Sequence, residues 1–151
     1  MNIQEFQEQL SHLIYIELLH WRGRFQNETI NVMALDCYPW NEGLELSFLV
    51  ESDEDGNEDK TDSAAWRWFQ FTNTSVGGWP AANNLAKQMG QSYSKKELDP
   101  KVLFETSAKA LMSDKVKDGL KGYNLSDSFE FVVSDPDDPK ANNYCMGVTN
   151  R

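Results

Sequence analysis

The chain has 151 residues, 40% of them hydrophobic and 25% charged, which is the size and composition of one ordinary globular domain. Its formal net charge of −10 opposes binding to nucleic-acid phosphates and anionic lipid, and it favours basic partners. No basic leader with a cleavage site and no apolar stretch of membrane-spanning length occurs, and Cys37 and Cys145 form no disulfide or zinc pattern. We therefore expect a cytoplasmic protein that binds neither nucleic acid nor membrane.

The first predicted elements are a helix and a hairpin. Apolar residues recur at three- and four-residue spacing over residues 3–21, which predicts a long amphipathic helix. Residues 29–38 and 44–52 are rich in β-formers, and the turn residues between them, 39–43, predict an antiparallel hairpin. Alternation in the second strand predicts one buried face and one partly exposed face.

An acidic segment follows the hairpin. Residues 51–62, "ESDEDGNEDKTD", carry seven carboxylates around one base, Lys60, and we call them the acidic loop. The next stretch, "SAAWRWFQFTN" (63–73), alternates as a strand does but also begins as a helix N-terminus does. A short helix or turn over residues 64–69 is the favoured interpretation.

The second half of the chain predicts three helical segments and a strand. Helices are expected over 80–91, after the Asp99-Pro100 pair, and after the Ser113-Asp114 pair. Residues 128–134 predict a strand, and residues 142–150 suit a short edge strand. No linker divides the chain, so the prediction is a single α+β domain of all 151 residues. Its sheet is expected to be mostly antiparallel, with the long N-terminal helix and further helices packed against it.

Motifs for metal binding and catalysis fail on spacing. An EF-hand register that starts at Asp53 places Glu58 where glycine is required and Ala64 where the bidentate carboxylate belongs. The aspartates of residues 134–139 stand between prolines and suit a turn. No phosphate-binding or nucleophile motif occurs. We therefore expect no catalytic residue, metal site or cofactor.

The tryptophans near the acidic loop predict either core or an interaction surface. Aromatic anchors set within complementary charge are typical of tight protein interfaces. The predicted contact surface for a basic partner combines five carboxylates with three tryptophans: Asp53, Glu54, Asp55, Glu58, Asp59, Trp40, Trp66 and Trp68. The alternative for the tryptophans is a place in the hydrophobic core.

A family resemblance points the same way. At "SAAWRWFQFT", read with the N-terminal helix and the closing "FEFVVSDPDD", the chain resembles a family of small bacterial proteins encoded beside polymorphic or contact-dependent toxins. The resemblance implies an immunity protein, a non-enzymatic inhibitor that neutralises its cognate toxin by direct binding. An acidic protein suits a basic nuclease site in particular, because it can cover that site and mimic phosphate.

Two alternatives remain open. One is a small enzyme or ligand-binding domain with a tryptophan-lined pocket that has Asp135 or Asp137 at its rim. The other is a structural subunit that forms a homodimer through its aromatic patch, which leaves the oligomeric state open.

Overall fold

The described part of the protein is a mixed α+β structure with four α-helices and three strands. The computed structural model describes residues 1–53, 60, 62–74, 77–138, 140 and 142–148. Within them the helices are α1 Ile3–Trp21, α2 Asn83–Ser94, α3 Pro100–Leu111 and α4 Asp114–Gly119. The strands are β1 Thr29–Tyr38, β2 Gly43–Val50 and β3 Asn124–Val132.

Helix α1 confirms the amphipathic pattern predicted for residues 3–21. The Asn2 side chain accepts a hydrogen bond from the Glu5 backbone at 3.1 Å, which satisfies one of the free amides of the first turn. Leu10, Ile14 and Leu18 are fully buried, because their spacing places them on one face of the helix. Neither α1 nor any other helix in the described part of the chain is long and apolar enough to cross a membrane.

The β1–β2 hairpin also confirms its prediction. The two strands pair antiparallel from Ile30 opposite Val50 to Tyr38 opposite Gly43. Their tight turn needs a left-handed residue, and Glu42 supplies it with a φ of 51°. The hairpin brings residues from two separate stretches of sequence into fixed cross-strand pairs.

The third strand differs from the prediction of a mostly antiparallel sheet. The strand order is β2-β1-β3, and β3 pairs with β1 in parallel, so the sheet is mixed. A parallel partner requires a long crossover connection, and α2, α3 and α4 lie between β2 and β3 in the chain. The hydrophobic core lies between these helices, α1 and one face of the sheet.

The capping residues of α3 and α4 confirm the starts predicted for these helices. Asp99 accepts from the Lys101 backbone at 2.9 Å, and Ser113 accepts from the Val116 backbone at 3.3 Å. Each side chain replaces a hydrogen-bond acceptor that the first helical turn lacks.

The edge strand predicted over residues 142–150 is wrong for its described part, 142–148. The chain there forms a 3₁₀ turn, Tyr144–Gly147. The Asn143 side chain caps this turn by accepting from the Cys145 backbone at 3.0 Å. The same carboxamide donates to the Phe131 carbonyl and accepts from the Val133 amide. The Asn143 side chain therefore makes hydrogen bonds to β3 that the backbone of an edge strand would otherwise make.

Gly122 lies in the tight connection between α4 and β3, and a substitution at this position tests how far that connection depends on glycine. Its φ of 98° is left-handed, and an added Cβ would lie 2.9 Å from the Arg22 side chain. We expect Gly122→Ala to lower the free energy of unfolding by about 1–2 kcal/mol in urea titrations. Gly23→Ala is the control, because a Cβ at Gly23 meets no atom within 4 Å. Equal midpoints for the two variants would contradict the expectation.

Candidate partner-binding surface

The negative charge of the protein is concentrated in one part of the chain. Residues 25–66, which comprise the hairpin and the acidic loop, hold eleven of the 24 acidic residues and one of the 14 basic residues. The rest of the chain holds thirteen of each, so the formal charge of −10 belongs to this part alone. An acidic field that starts from one part of the molecule attracts a basic partner toward that part.

The acidic loop lies at the far end of β2 from the hairpin turn. Four of the predicted contact residues lie outside the described residues: Glu54, Asp55, Glu58 and Asp59. Asp53 is partly buried, and this burial raises the pKa of its carboxyl, while a backbone hydrogen bond from Arg67 and the Arg67 charge oppose the rise. Lys60 lies 3.9 Å from the Glu130 carboxylate of β3. Both ends of the loop therefore lie beside the sheet.

Residues 63–72, which we call the strap, run from the acidic loop across the sheet. A short 3₁₀ turn, Ser63–Ala65, begins the strap, as the favoured interpretation expects. Further on, the Phe48 backbone donates to Trp68 at 3.2 Å, and the Phe71 backbone donates to Leu46 at 3.0 Å. These bonds satisfy the outer edge of β2, which would otherwise expose unpaired amides and carbonyls.

Trp66 lies under the strap and not on the surface. Its side chain is 4% exposed. It packs in a second hydrophobic cluster on the strap-covered face of the sheet, with Val32, Ala34, Leu49 and Val132. In this conformation Trp66 is core, so it cannot serve as the surface anchor considered from the sequence. The strap also buries the face of β2 that the alternation predicted to be partly exposed.

Trp68 is half-buried and has cationic neighbours. Its ring packs on Phe25 at 4.9 Å between centroids. The guanidinium groups of Arg24 and Arg67 lie 5.3 and 5.4 Å from the ring centre. Trp68 therefore makes cation–π contacts with two arginines. The sequence had predicted carboxylates around this ring.

Trp40 is 37% exposed and lies in the hairpin turn. Its ring contacts those of Tyr38 and Tyr93, with centroids 6.0 and 6.3 Å away. Eight residues of β2 separate this turn from the acidic loop, a span of about 26 Å along a strand. The structure thus places the predicted residues at two ends of the hairpin, with Trp40 at one end and Asp53 and Trp68 near the other.

A carboxyl cluster with one buried acid, Glu45, and one half-buried acid, Asp36, lies between these ends, and sequence reasoning did not find it. Asp36 and Glu45 are direct cross-strand partners on the face that the strap covers. The hydroxyls of Ser47 and Ser63 donate to Asp36 at 2.5 and 2.6 Å. Thr72 donates to Glu45. The signal was available in the hairpin register, which places these two acids opposite each other.

Burial perturbs both acids of the cluster. It raises the pKa of Asp36, and the hydrogen bonds from Ser47 and Ser63 offset only part of the rise. Burial raises the pKa of Glu45 to about 7, against the hydrogen bond from Thr72 and with a contribution from the charge of Asp36. Two adjacent carboxyls with hydroxyl partners therefore hold a proton near neutral pH.

Features that catalysis would require are few in the part of the chain that the structure describes. No group of three or more His, Cys, Asp or Glu residues is placed to hold a metal ion there. Burial raises the pKa of Cys37 and of Cys145 to about 12, so both are neutral core thiols at physiological pH.

A cavity of about 410 Å³ lies between α3 and the C-terminal 3₁₀ turn. Its described lining contains Glu105, Lys109 and Tyr144 but none of the tryptophans, and neither Asp135 nor Asp137. The cavity is therefore distinct from the tryptophan-lined pocket considered from the sequence.

Comparison of the chain with protein-family models, curated proteins and solved structures finds no match. The resemblance to immunity proteins stays a prediction, and the function has to be argued from charge and geometry.

Proposed function

We propose that the protein is a non-enzymatic, acidic binding protein of the bacterial cytoplasm. Its most specific form is an immunity protein that neutralises a basic, nuclease-type toxin by direct binding. The observation that carries the proposal is the confinement of the whole net charge to residues 25–66. A nuclease site is basic because it binds phosphate, so a concentrated acidic field steers such a protein toward the hairpin and accelerates its capture.

The loop end of the hairpin is the proposed centre of contact. Glu28, the residue before β1, accepts from the Ser52 hydroxyl at 2.8 Å, so its carboxylate adjoins the acidic loop. Glu51 and Asp62 are exposed at the two described ends of the loop. A standard interface of about 800 Å² per partner is roughly 30 Å across. One partner centred along the hairpin can therefore reach both the loop and Trp40.

Capture followed by an activity assay tests the function. The tagged protein is incubated with lysate of its native cells at moderate salt, and the retained proteins are identified. We expect one basic protein in stoichiometric amount, whose nuclease activity is abolished by an equimolar amount of this chain. An empty capture from cells shown to produce the candidate toxin would reject the proposal. A captured protein whose activity is unchanged would reject neutralisation.

The acidic loop is tested by charge removal. A loop variant replaces its five predicted contact acids by amides: Asp53, Glu54, Asp55, Glu58 and Asp59. We expect the association rate with the captured partner to fall about tenfold or more at low salt, and to depend less on salt concentration. Stopped-flow or surface-binding kinetics over a salt series measure both effects.

The control removes the same charge elsewhere. It neutralises three aspartates and two glutamates that are exposed and lie outside residues 25–66: Glu5, Glu8, Asp118, Asp127 and Asp137. A smaller loss of rate is expected for this control. Identical rates and salt slopes for the two variants would show that net charge alone matters and that the loop is no contact surface.

A further inference from the structure

Besides its backbone bonds to β2, the strap is attached to the sheet through the carboxyl cluster. At its start Ser63 donates to Asp36 at 2.6 Å. In its middle the Gln70 backbone donates to the Ser47 hydroxyl at 2.8 Å, and Ser47 in turn donates to Asp36. The two Asp36 oxygens therefore each accept a hydroxyl hydrogen bond, which suits an ionised Asp36 and leaves the retained proton to Glu45.

Among the described residues, the cluster has no cation to balance a second negative charge. No salt bridge in the described part of the chain includes Asp36 or Glu45. Among the neighbouring titratable groups, Glu17 of α1 adds negative potential at Glu45. The Tyr38 phenol is neutral at physiological pH, because burial raises its pKa to about 12.

The charged residues of the strap region do not compensate the pair. Asp62, which precedes the strap, is exposed and acidic. The strap's cation, Arg67, lies over the ring of Trp68. Removing the last proton from the pair therefore creates two adjacent buried charges, which are costly without a counter-ion.

The two halves of the strap differ in how they are held. Residues 68–72 are paired with the backbone of β2, and Phe71 stacks on Phe48 at 4.7 Å. Residues 63–67 cover the second hydrophobic cluster through Trp66, which lies on the opposite face of the sheet from the main core. Gln70 adds backbone strain in the strap, with a left-handed φ of 46°. The first half can therefore leave the sheet while the main core stays packed.

We propose that residues 63–67, the first half of the strap, open from the sheet when Asp36 and Glu45 are both ionised, and close when the pair keeps one proton. Opening admits water to both carboxyls and uncovers Trp66 together with the apolar surface beneath it. This surface adjoins the acidic loop. Opening therefore exposes the aromatic side chain of Trp66 next to the carboxylates of that loop. The proposal does not depend on the identity of any partner.

The direction of the pH effect follows from proton binding. Closure raises the pKa of Glu45 from its ordinary value of 4.5 to about 7, so the closed form binds more protons than the open form. Closure is therefore most favoured below about pH 4.5, and the preference is lost as the pH rises through 7. Between pH 5 and pH 8 the ratio of open to closed forms should rise roughly 70-fold.

Fluorine NMR of the protein labelled with 5-fluorotryptophan tests this. The H₂O–D₂O isotope shift of each assigned fluorine signal reports the solvent exposure of that indole. We expect Trp66 to become exposed between pH 5 and pH 8, while Trp79, 2% exposed in the main core, stays buried. The Glu45→Gln variant should keep Trp66 buried at both pH values. The matched variant Glu51→Gln, at an exposed position, should behave as wild type.

Three results would overturn the proposal. The first is a Trp66 signal that stays buried in the wild type up to pH 8. The second is exposure of Trp66 and Trp79 together, which would show global unfolding and no local opening. The third is a Glu45→Gln variant that keeps a buried Trp79 but exposes Trp66 with the same pH dependence as wild type. If Glu45→Gln fails to fold, the same comparison is made with Asp36→Asn. The exposure of Trp66 in the wild type between pH 5 and pH 8 tests the proposal without either variant.

Discussion

Replacing Phe25 by alanine is expected to lower the free energy of unfolding by about 4 kcal/mol. The Phe25 ring is fully buried, and it lies where the end of α1, strand β2 and the strap meet. It contacts five other aromatic rings, with centroid distances of 4.8–6.3 Å that are typical of favourable pairs: Trp21, Phe48, Trp68, Phe71 and Tyr123. Truncation removes buried apolar area and leaves a cavity that rigid rings cannot fill.

Urea unfolding followed by circular dichroism measures the loss. Phe129→Ala is the control, because Phe129 is only half-buried and its one ring contact among the described residues is with Phe131. The control is expected to lose about 1 kcal/mol. Phe25→Leu, which restores most of the volume, should recover about half of the alanine deficit. A Phe25→Ala variant within 1 kcal/mol of wild type would mean that the aromatic cluster repacks around the missing ring.

The elements that local sequence determines were predictable. Helix α1 follows from apolar spacing, and α3 follows from the Asp99-Pro100 pair, whose cap and first helical residue are adjacent in sequence. The hairpin follows from turn residues between two β-rich stretches. In each case the residues that decide the structure lie within a few positions of one another.

The parts set by distant contacts were not predictable in the same way. The direction of β3 depends on which end of β1 the chain reaches after three helices, and nothing in the local pattern of β3 records that. The burial of Trp66 likewise depends on the strap folding onto the sheet. The alternation of residues 63–73 is compatible with a strand, yet the backbone makes only one isolated bridge, between Trp68 and Phe48.

The sequence predicted the negative charge of the acidic loop but not the positions of the tryptophans relative to it. The acidic loop follows directly from composition, because a dense run of carboxylates cannot be buried without partners. The positions of the tryptophans relative to that loop required the hairpin: Trp40 at its turn, Trp66 beneath the strap and Trp68 near two arginines. The acidic end of the hairpin and its exposed aromatic end are therefore separate features, with the eight residues of β2 between them.

The second large effect is a loss of stability as the pH rises. Because folding raises the pKa of Glu45 from 4.5 to about 7, the folded chain binds more protons than the unfolded chain between these values. The contribution of Glu45 is fully present below about pH 4.5 and is lost as the pH rises through 7. We expect the free energy of unfolding to fall by about 2 kcal/mol between pH 5 and pH 8 from this residue.

Two amide variants separate this contribution from the general repulsion of an acidic protein. Glu45→Gln and Glu51→Gln remove the same formal charge, but Glu45 is 5% exposed and Glu51 lies at the surface. Urea unfolding at pH 5 and pH 8 should show the wild-type loss in Glu51→Gln, and most of that loss should be absent in Glu45→Gln. General repulsion acts on all three proteins alike, so it cannot produce a difference between the two variants. Equal pH dependence in both would show that Glu45 folds without retaining its proton and that the hydroxyl of Thr72 is sufficient to stabilise its charge.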